Sequence, residues 1–455
     1  MLLQRLAIEN FRCFESLEMD FEATPESKLT VIIAKNGQGK TAILEAISVN
    51  LGAFVGAFDL GKSKSINTND VRYQQLLRTT ENAQQYLINE QQYPVKIDTI
   101  FSFPMPDGSV FEDKSISTKA TRELNSKKSR TTIKNAAPLV QYGKELMDKV
   151  RQLDEDVTLP AIAYYPASRL WSVHKNIERK AVLIESRSMG YEDCLSSSSS
   201  FKQVQQWMHK ATLAVGQQKT MTQAFNTLLP IQLDGIKKAV NQVLKMEGWS
   251  DFQYNFDYDE LVMFHKEHGY LPISLLSDGV RAMVSLVADL AWRCTKLNAH
   301  LGDDAASKTP GIVLIDEIDL HLHPSWQQKV IGVLQNTFKN IQFIITTHSP
   351  QVLTTVNNKS IRIITENNIK LASVQTLDEE SRVALEDVME VSSYPNTEKT
   401  HLLVDYLKRI GGGEIDSPKV KKLREELTSY YGSNFKRLRL ADMEINRQRV
   451  LQAKK

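Results

Sequence analysis

Ala34-Lys35-Asn36-Gly37-Gln38-Gly39-Lys40-Thr41 sets two glycines, a lysine and a hydroxyl in the order that phosphate chemistry requires. The apolar run Leu29-Thr30-Val31-Ile32-Ile33 precedes it and Ala42-Ile43-Leu44-Glu45-Ala46-Ile47 follows. A buried strand, a tight glycine loop and then a helix are the setting of a phosphate-binding loop. Gly37 and Gly39 let backbone amides turn inward around phosphates, with Asn36 and Gln38 completing the cradle. Lys40 reaches toward the β- and γ-phosphates, and the Thr41 hydroxyl is placed to hold Mg²⁺. The helix beginning near Lys40 adds its unsatisfied N–H groups and positive dipole end. Ala34 stands where the pattern has its first glycine, and alanine fits there wherever φ is negative.

Two further groups stand at the ends of apolar strands. Gly311-Ile312-Val313-Leu314-Ile315 ends in Asp316-Glu317, and Ile341 to Thr347 ends in His348-Ser349-Pro350. Asp316 can order a Mg²⁺ shell, and Glu317 can polarise a water against a γ-phosphate. His348 can hydrogen-bond that phosphate and report its loss. Leu276-Ser277-Asp278-Gly279-Val280 opens a helix and admits two readings. In one, Ser277 caps the helix and Asp278 complements its dipole. In the other, the Ser277 hydroxyl and the Gly279 amide meet the γ-phosphate of a nucleotide held by another subunit.

The elements that position these groups follow from pattern. Four strands without charged side chains, each followed by helix, predict an α/β core whose ligands gather at the strands' carboxyl ends. Leu3 to Phe14 reads as a strand with a turn at Asn10-Phe11-Arg12, Phe252 to Phe264 as one alternating strand, and Ile361 to Ala372 as a hairpin turning at Asn367-Asn368. Phe201 to Met246 is mostly helical, and the sequence after Leu377 is charged and helical. Residues 1–375 are expected to form the head, with a largely helical insertion at about 170–250. Residues 376–455 are expected to form a helical region for assembly or docking. There Leu402, Leu403, Tyr406, Leu407 and Ile410 form one amphipathic stripe and Leu423, Leu427 and Tyr430 another. Partner docking and simple packing are both open for these stripes.

With 455 residues and a net charge of +2, the chain is no polycation, and any nucleic-acid surface must be local. The basic, Ser/Thr-rich stretch Lys114 to Lys134 is either a solvated loop or such a contact. Cys13, Cys194 and Cys294 are far apart, which suits a reducing compartment. Neither a signal peptide nor a membrane-spanning run is present, so a soluble, cytoplasmic chain is expected. His321-Leu322-His323 and His265-Lys266-Glu267-His268 lack a second ligand pair at finger spacing, which weighs against a metal.

The ordered set Asn10-Phe11-Arg12, Asn36 to Thr41, Leu276 to Gly279, Asp316-Glu317 and His348 resembles the ATP-binding cassette (ABC) ATPases of the SMC, RecF and OLD type. The resemblance implies an ABC-type P-loop head, with a mixed or parallel sheet flanked by helices, using ATP and Mg²⁺. It also implies that two heads sandwich ATP between one phosphate loop and the other's signature, with Arg12 near the phosphates. The usual signature has Gly where Asp278 stands and Gln where Val280 stands, so slow hydrolysis is expected. Sustained heptads, as in SMC proteins, are missing, and no Asp-x-Asp follows Glu366 as in the Toprim nuclease of OLD enzymes. The stretches Ile33–Thr41, Tyr164–Arg169, Leu276–Arg293, Asp316–Trp326, Thr346–Pro350 and Asp442–Ile445 resemble the PtuA-type ATPases of Septu and retron-linked antiphage systems. That family implies a homo-oligomeric ATPase that assembles with and regulates a separate HNH endonuclease of the PtuB type, meets DNA through the complex, and cuts none itself. The alternatives are a RecF/SMC-like DNA-maintenance ATPase that binds DNA directly and a nucleotide-bound scaffold that does not hydrolyse.

Overall fold

Strand β1 (Leu2–Phe11) turns back at Arg12 into β2 (Phe14–Asp20), with Asn10 and Arg12 both at φ 52°. Strand β3 (Leu29–Ile33), buried throughout, delivers the chain into helix α1 (Lys40–Val55). A hairpin of β4 (Tyr73–Thr79) and β5 (Gln85–Gln91) precedes β6 (Val95–Phe103), β7 (Ile116–Leu124), α2 (Ala137–Arg151) and β8 (Ala161–Tyr165). Helices α3 (Phe201–Gln218) and α4 (Leu229–Leu244) lead to a meander of β9 (Trp249–Asn255), β10 (Glu260–His265) and β11 (Gly269–Pro272). Then come α5 (Asp278–Leu297), α6 (Ala305–Lys308), β12 (Gly311–Ile315), α7 (Pro324–Gln327), α8 (Val330–Thr337) and β13 (Ile341–Thr346). Helix α9 (Pro350–Leu353), β14 (Ile361–Thr365), β15 (Asn368–Leu371) and α10 (Ser381–Val383) follow. This computed structural model describes every residue except 25, 80–84, 104–115, 153–156, 169–185, 197–200, 219–227, 367 and 454–455. Arg169 and Asn367 therefore lie outside the described residues.

Two sheets enclose α1. One is antiparallel, in the order β2-β1-β6-β7, and the other runs β15-β14-β3-β13-β12-β8. In the second, β14, β3, β13, β12 and β8 are mutually parallel, and only β15 is antiparallel. Strands β8, β12 and β13 are buried at every residue, as a parallel sheet covered on both faces requires. Helix α1 touches β1, β6 and β7 on one side and β8, β12 and β13 on the other. It is apolar around most of its circumference, as a helix packed on both sides must be. Its one buried amide, Asn50, donates to the Ile97 carbonyl at 3.1 Å and to the Thr99 hydroxyl at 2.9 Å. This is the α/β head expected from the sequence.

Helix α5 is buried from Met283 to Leu297 and carries an ion pair into the core. Arg293 donates from Nε to Asp289 at 2.8 Å, and the Tyr165 hydroxyl donates to the same carboxylate at 2.7 Å. The pair ties the helix that follows Ser277 to the end of β8. The expected single strand over Phe252 to Phe264 is instead the hairpin β9–β10. Asn255 Oδ1 accepts from the amides of Asp257 and Tyr258 at 2.8 and 3.2 Å, closing a turn that alternation alone does not reveal.

The chain divides into two units, Met1–Ala384 and Leu385–Lys455. Residues 376–384 thus stay with the head, where the buried Thr376 hydroxyl donates to the Val356 carbonyl at 2.9 Å. The second unit is a helical bundle of α11 (Glu398–Gly411), α12 (Pro418–Tyr431) and α13 (Lys436–Ala453). Its core is Leu403, Tyr406, Ile410, Val420, Leu423, Leu427, Leu438 and Ala441. The two sequence stripes therefore face each other inside this unit, and Tyr430 alone of their members is widely exposed.

Candidate functional site

The turn after β3 forms a cradle. Gly37 and Gly39 have φ of 80° and 90°, a region that residues with a Cβ enter at a cost. At Gly39 a Cβ would also stand 2.4 Å from Phe14 Cζ and 2.5 Å from Cys13 Sγ, so the β1–β2 turn presses against the loop there. Gln38 Oε1 accepts from the Lys35 amide at 3.1 Å. Ala34 is not among the residues at positive φ, which removes the need for glycine. Lys40 is buried and donates to the Ala34 carbonyl at 3.3 Å. Burial lowers the pKa of its ammonium, while the carboxylates of Asp316, Glu317 and Asp319 act in the opposite direction.

The carboxyl ends of β12 and β13 meet this cradle. Asp316 Oδ2 accepts from the Thr41 hydroxyl at 2.7 Å, and Oδ1 accepts from Thr346 at 2.5 Å. The parallel register places them together, since Ile315 pairs with Ile345 and Thr346 with Ile32. Thr346 Oγ1 in turn accepts from the Glu317 amide at 2.8 Å. Glu317 sits at φ 47°, a left-handed turn that takes its backbone out of the strand. Asp319 accepts from the Thr347 hydroxyl at 2.6 Å and from the His348 amide at 3.3 Å, joining the two strand ends. A hydroxyl and a carboxylate are hard oxygen donors, the kind that Mg²⁺ takes. Thr41 and Asp316 are thus the residues that could hold the ion. Thr346 and Asp319 were not singled out in the sequence, although each lies within three residues of a named one.

Arg12 forms an ion pair with Asp70 at 2.8 Å and lines a cavity of about 510 Å³ with Glu45, Lys64, Asn67 and Asp70. Glu45, on α1, accepts from the Tyr164 hydroxyl at 3.1 Å and pairs with Lys64. Burial and that carboxylate hold the Tyr164 hydroxyl protonated far above its ordinary range. These partners are distant in sequence and left no signal in it.

Ser277 begins α5, but its side chain makes no capping bond and is exposed. Asp278 pairs with Arg281 instead. A Cβ on Gly279 would stand 2.5 Å from the His321 carbonyl, so the segment after Glu317 packs against the start of α5. No hydrogen bond joins Ser277 or Gly279 to this chain's own phosphate loop among the described residues. His265, Glu267 and His268 place ligand atoms within 4.8 Å of one another in the β10–β11 turn, a grouping closer than the sequence spacing suggests. His265 Nδ1 already accepts from the Glu267 amide there, at 3.2 Å. Among the described residues, no helix is long and apolar enough to cross a membrane.

A phosphate loop between an antiparallel and a mainly parallel sheet, faced by an aspartate–glutamate strand end, defines an ABC-type P-loop ATPase head. The chain belongs to the AAA ATPase domain family, whose model matches residues 1–353. It is 27% identical to the Retron Ec83 probable ATPase of Escherichia coli, over 97% of this chain and 86% of that protein. The Retron Vc95 probable ATPase of Vibrio cholerae serotype O1 biovar El Tor is 26% identical, over 93% and 86%. The Septu protein PtuA of Bacillus mycoides strain KBAB4 matches 31% of this chain and 19% of its own length, at 33% identity. Among solved structures, the SMC head domain from Thermotoga maritima covers 82% of this chain and 100% of its own, at 14% identity and a TM-score of 0.41.

Proposed function

We propose that this chain binds ATP with Mg²⁺, hydrolyses it slowly, and through copies of itself regulates a separate HNH endonuclease in antiphage defence. The observation that carries the nucleotide part is the 2.7 Å bond between Thr41 and Asp316, which joins the phosphate loop to the strand end opposite it. Thr41 and Asp316 would hold Mg²⁺, which when bound neutralises phosphate charge. Lys40 binds the β- and γ-phosphates, and the loop amides from Asn36 to Gly39 orient them. Glu317, turned out of its strand, takes the proton of the attacking water. His348, held by the Asp319 carboxylate through its amide, contacts the γ-phosphate. The exposed Ser277 hydroxyl and the Gly279 amide serve a partner head's nucleotide, so that ATP joins two copies. Arg12 contributes from the β1–β2 turn.

The defence role is supported by similarity to the retron ATPases and to the Septu protein PtuA across the lengths given above, and the nuclease partner is what the motif resemblance to the Septu family implies. Because the core of the second unit consumes the expected stripes, docking falls to its outer face. There Leu440, Met443 and Val450 on α13 are exposed along one side. Nucleotide affinity and turnover, measured with and without Mg²⁺, test the first part. Co-purification of the neighbouring gene's product with the full chain, and with Met443→Asp, tests the second. Equal recovery on both would refute docking on α13, and DNA cutting by the purified chain alone would refute a nuclease acting in trans.

A further inference from the structure

Away from the nucleotide loop, the head holds a buried cation with no counter-ion among the described residues. Arg122, on β7, is only 2% exposed. It donates from Nε to the Thr132 carbonyl at 2.7 Å, and from Nη1 to the Val49 carbonyl at 3.3 Å and the Ser63 hydroxyl at 3.5 Å. All three acceptors are neutral, and no carboxylate of the described residues pairs with it. Burial alone pulls the guanidinium down to about 10. Its neighbour Glu123 points to the other face of the sheet, where it adds to the field at Lys96. A buried charge left uncompensated is costly and is ordinarily found paired.

Arg122 opens on a cavity of about 440 Å³ lined by Ser63, Ser65, Ser129, Arg130 and Thr131 on one part of its wall and by Ile66, Leu124 and Ile133 on the rest. Among the described residues no carboxylate lines it. The loop above it carries Lys127, Lys128, Arg130 and Lys134, all exposed and none in an ion pair among the described residues. The loop is nonetheless ordered by its own bonds. Thr132 Oγ1 accepts from the Glu123 amide at 3.0 Å, Ser129 Oγ from the Ser126 amide at 2.9 Å, and Thr131 Oγ1 from the Ile66 amide at 2.9 Å. Val49 lies nine residues beyond Lys40 on α1, about 14 Å along the helix axis, so this cavity is separate from the phosphate loop.

We propose that Arg122, Arg130 and the Ser63 and Ser65 hydroxyls form a second phosphate-oxyanion site, with Lys127 and Lys128 reaching further phosphates of the same ligand, while the Ser129 and Thr131 hydroxyls donate to the Ser126 and Ile66 carbonyls and only hold the loop. Guanidinium forks and the hydroxyls of Ser63 and Ser65 suit a tetrahedral oxyanion, and among the described residues no acid lines the cavity to repel it. The ligand is a nucleic-acid backbone or a small polyphosphate, which share this chemistry. The site does not depend on the nucleotide reading of the phosphate loop.

The test uses the full chain and three probes: a 20-bp DNA duplex, a single-stranded RNA of the same length, and tripolyphosphate. Binding is measured in a Lys40→Ala background and repeated with Arg122→Gln and with the exposed set Lys127→Ala, Lys128→Ala and Arg130→Ala. The expected result is a loss of tenfold or more for at least one probe in both variants. For a nucleic-acid ligand the exposed set should also lower the slope of log affinity against log salt by about 2 to 3. Loss for tripolyphosphate alone assigns a small polyphosphate, and loss for duplex or RNA assigns a backbone. In the Lys40-intact protein both variants should keep ATP affinity within twofold, which separates failure here from failure of the nucleotide loop. If Arg122→Gln does not fold, the exposed set carries the test. Parent-like binding of all three probes by the exposed set, or no binding of any probe by the parent, would overturn the proposal.

Discussion

Lys40→Met should move two measurements in opposite directions. Lys40 is buried, its hydrogen bond to the Ala34 carbonyl is long at 3.3 Å, and burial lowers its pKa. A lysine whose folded pKa lies below its unfolded value binds fewer protons folded than unfolded between those two values. Stability of the ligand-free protein therefore rises with pH across that window, and the charged ammonium weakens the fold below it. Methionine keeps an unbranched side chain one atom shorter and carries no charge, so the ligand-free variant should melt at or slightly above the parent temperature and lose that pH dependence. Nucleotide binding should fall sharply. Two charge-assisted bonds to phosphate, at about 1.5–3 kcal/mol each, give about 3–6 kcal/mol, or roughly 10²–10⁴ in Kd. At ATP a hundredfold above the parent Kd, the parent gains about 2.7 kcal/mol and the variant almost nothing. Thermal melting with and without MgATP, together with titration of a fluorescent ATP analogue, reads both effects. Parent-like affinity in the variant would refute the phosphate-loop assignment, and a melting temperature many degrees lower would refute the account of the buried ammonium.

Glu317→Gln should retain ATP binding and abolish turnover, because the amide cannot accept the water's proton; unchanged hydrolysis would remove Glu317 from that role. Ser277→Arg should leave nucleotide affinity intact and block ATP-dependent pairing of heads, as read by light scattering with a non-hydrolysable analogue. Identical assembly would reduce Ser277 to the residue that precedes a helix. Gly39→Ala should destabilise the head by about 2–5 kcal/mol, combining about 1–2 for a Cβ at left-handed φ with about 1–3 for overpacking against Phe14; a melting curve like the parent's would contradict the close approach. Arg293→Ala strands the Asp289 carboxylate in the core and should cost about 3–5 kcal/mol, measured by denaturant unfolding.

The phosphate loop was legible because its chemistry is local. Gly37, Gly39, Lys40 and Thr41 lie within one turn of a few residues, and the apolar runs on either side declare strand and helix. The same holds for the burial of β8, β12 and β13, whose apolar runs have no place except a sheet covered on both faces. Where two conformations share one pattern, the sequence was silent. Alternation over Phe252 to Phe264 fits one strand or two, and the Asn255 side chain decides for a hairpin. Amphipathic stripes at Leu402–Ile410 and Leu423–Tyr430 state that a face will be buried but not against what, and in the fold they bury each other.

By itself, then, the sequence determined the α/β class, the glycine loop between β3 and α1 and the strand ends carrying Asp316 and Glu317, since each rests on residues adjacent in the chain. Tertiary structure decided which distant groups share a space. Thr41 meets Asp316 across 275 positions of sequence because parallel register aligns the ends of β3, β13 and β12. Thr346 and Asp319 join the site for the same reason, and Glu45 meets Tyr164 because α1 packs against β8. Arg122 reads as a surface residue in a basic stretch until the sheet folds over α1 and buries its guanidinium among neutral acceptors. Charge, propensity and spacing travel along the chain, whereas desolvation and hydrogen-bond partnership exist only once its distant segments are packed together.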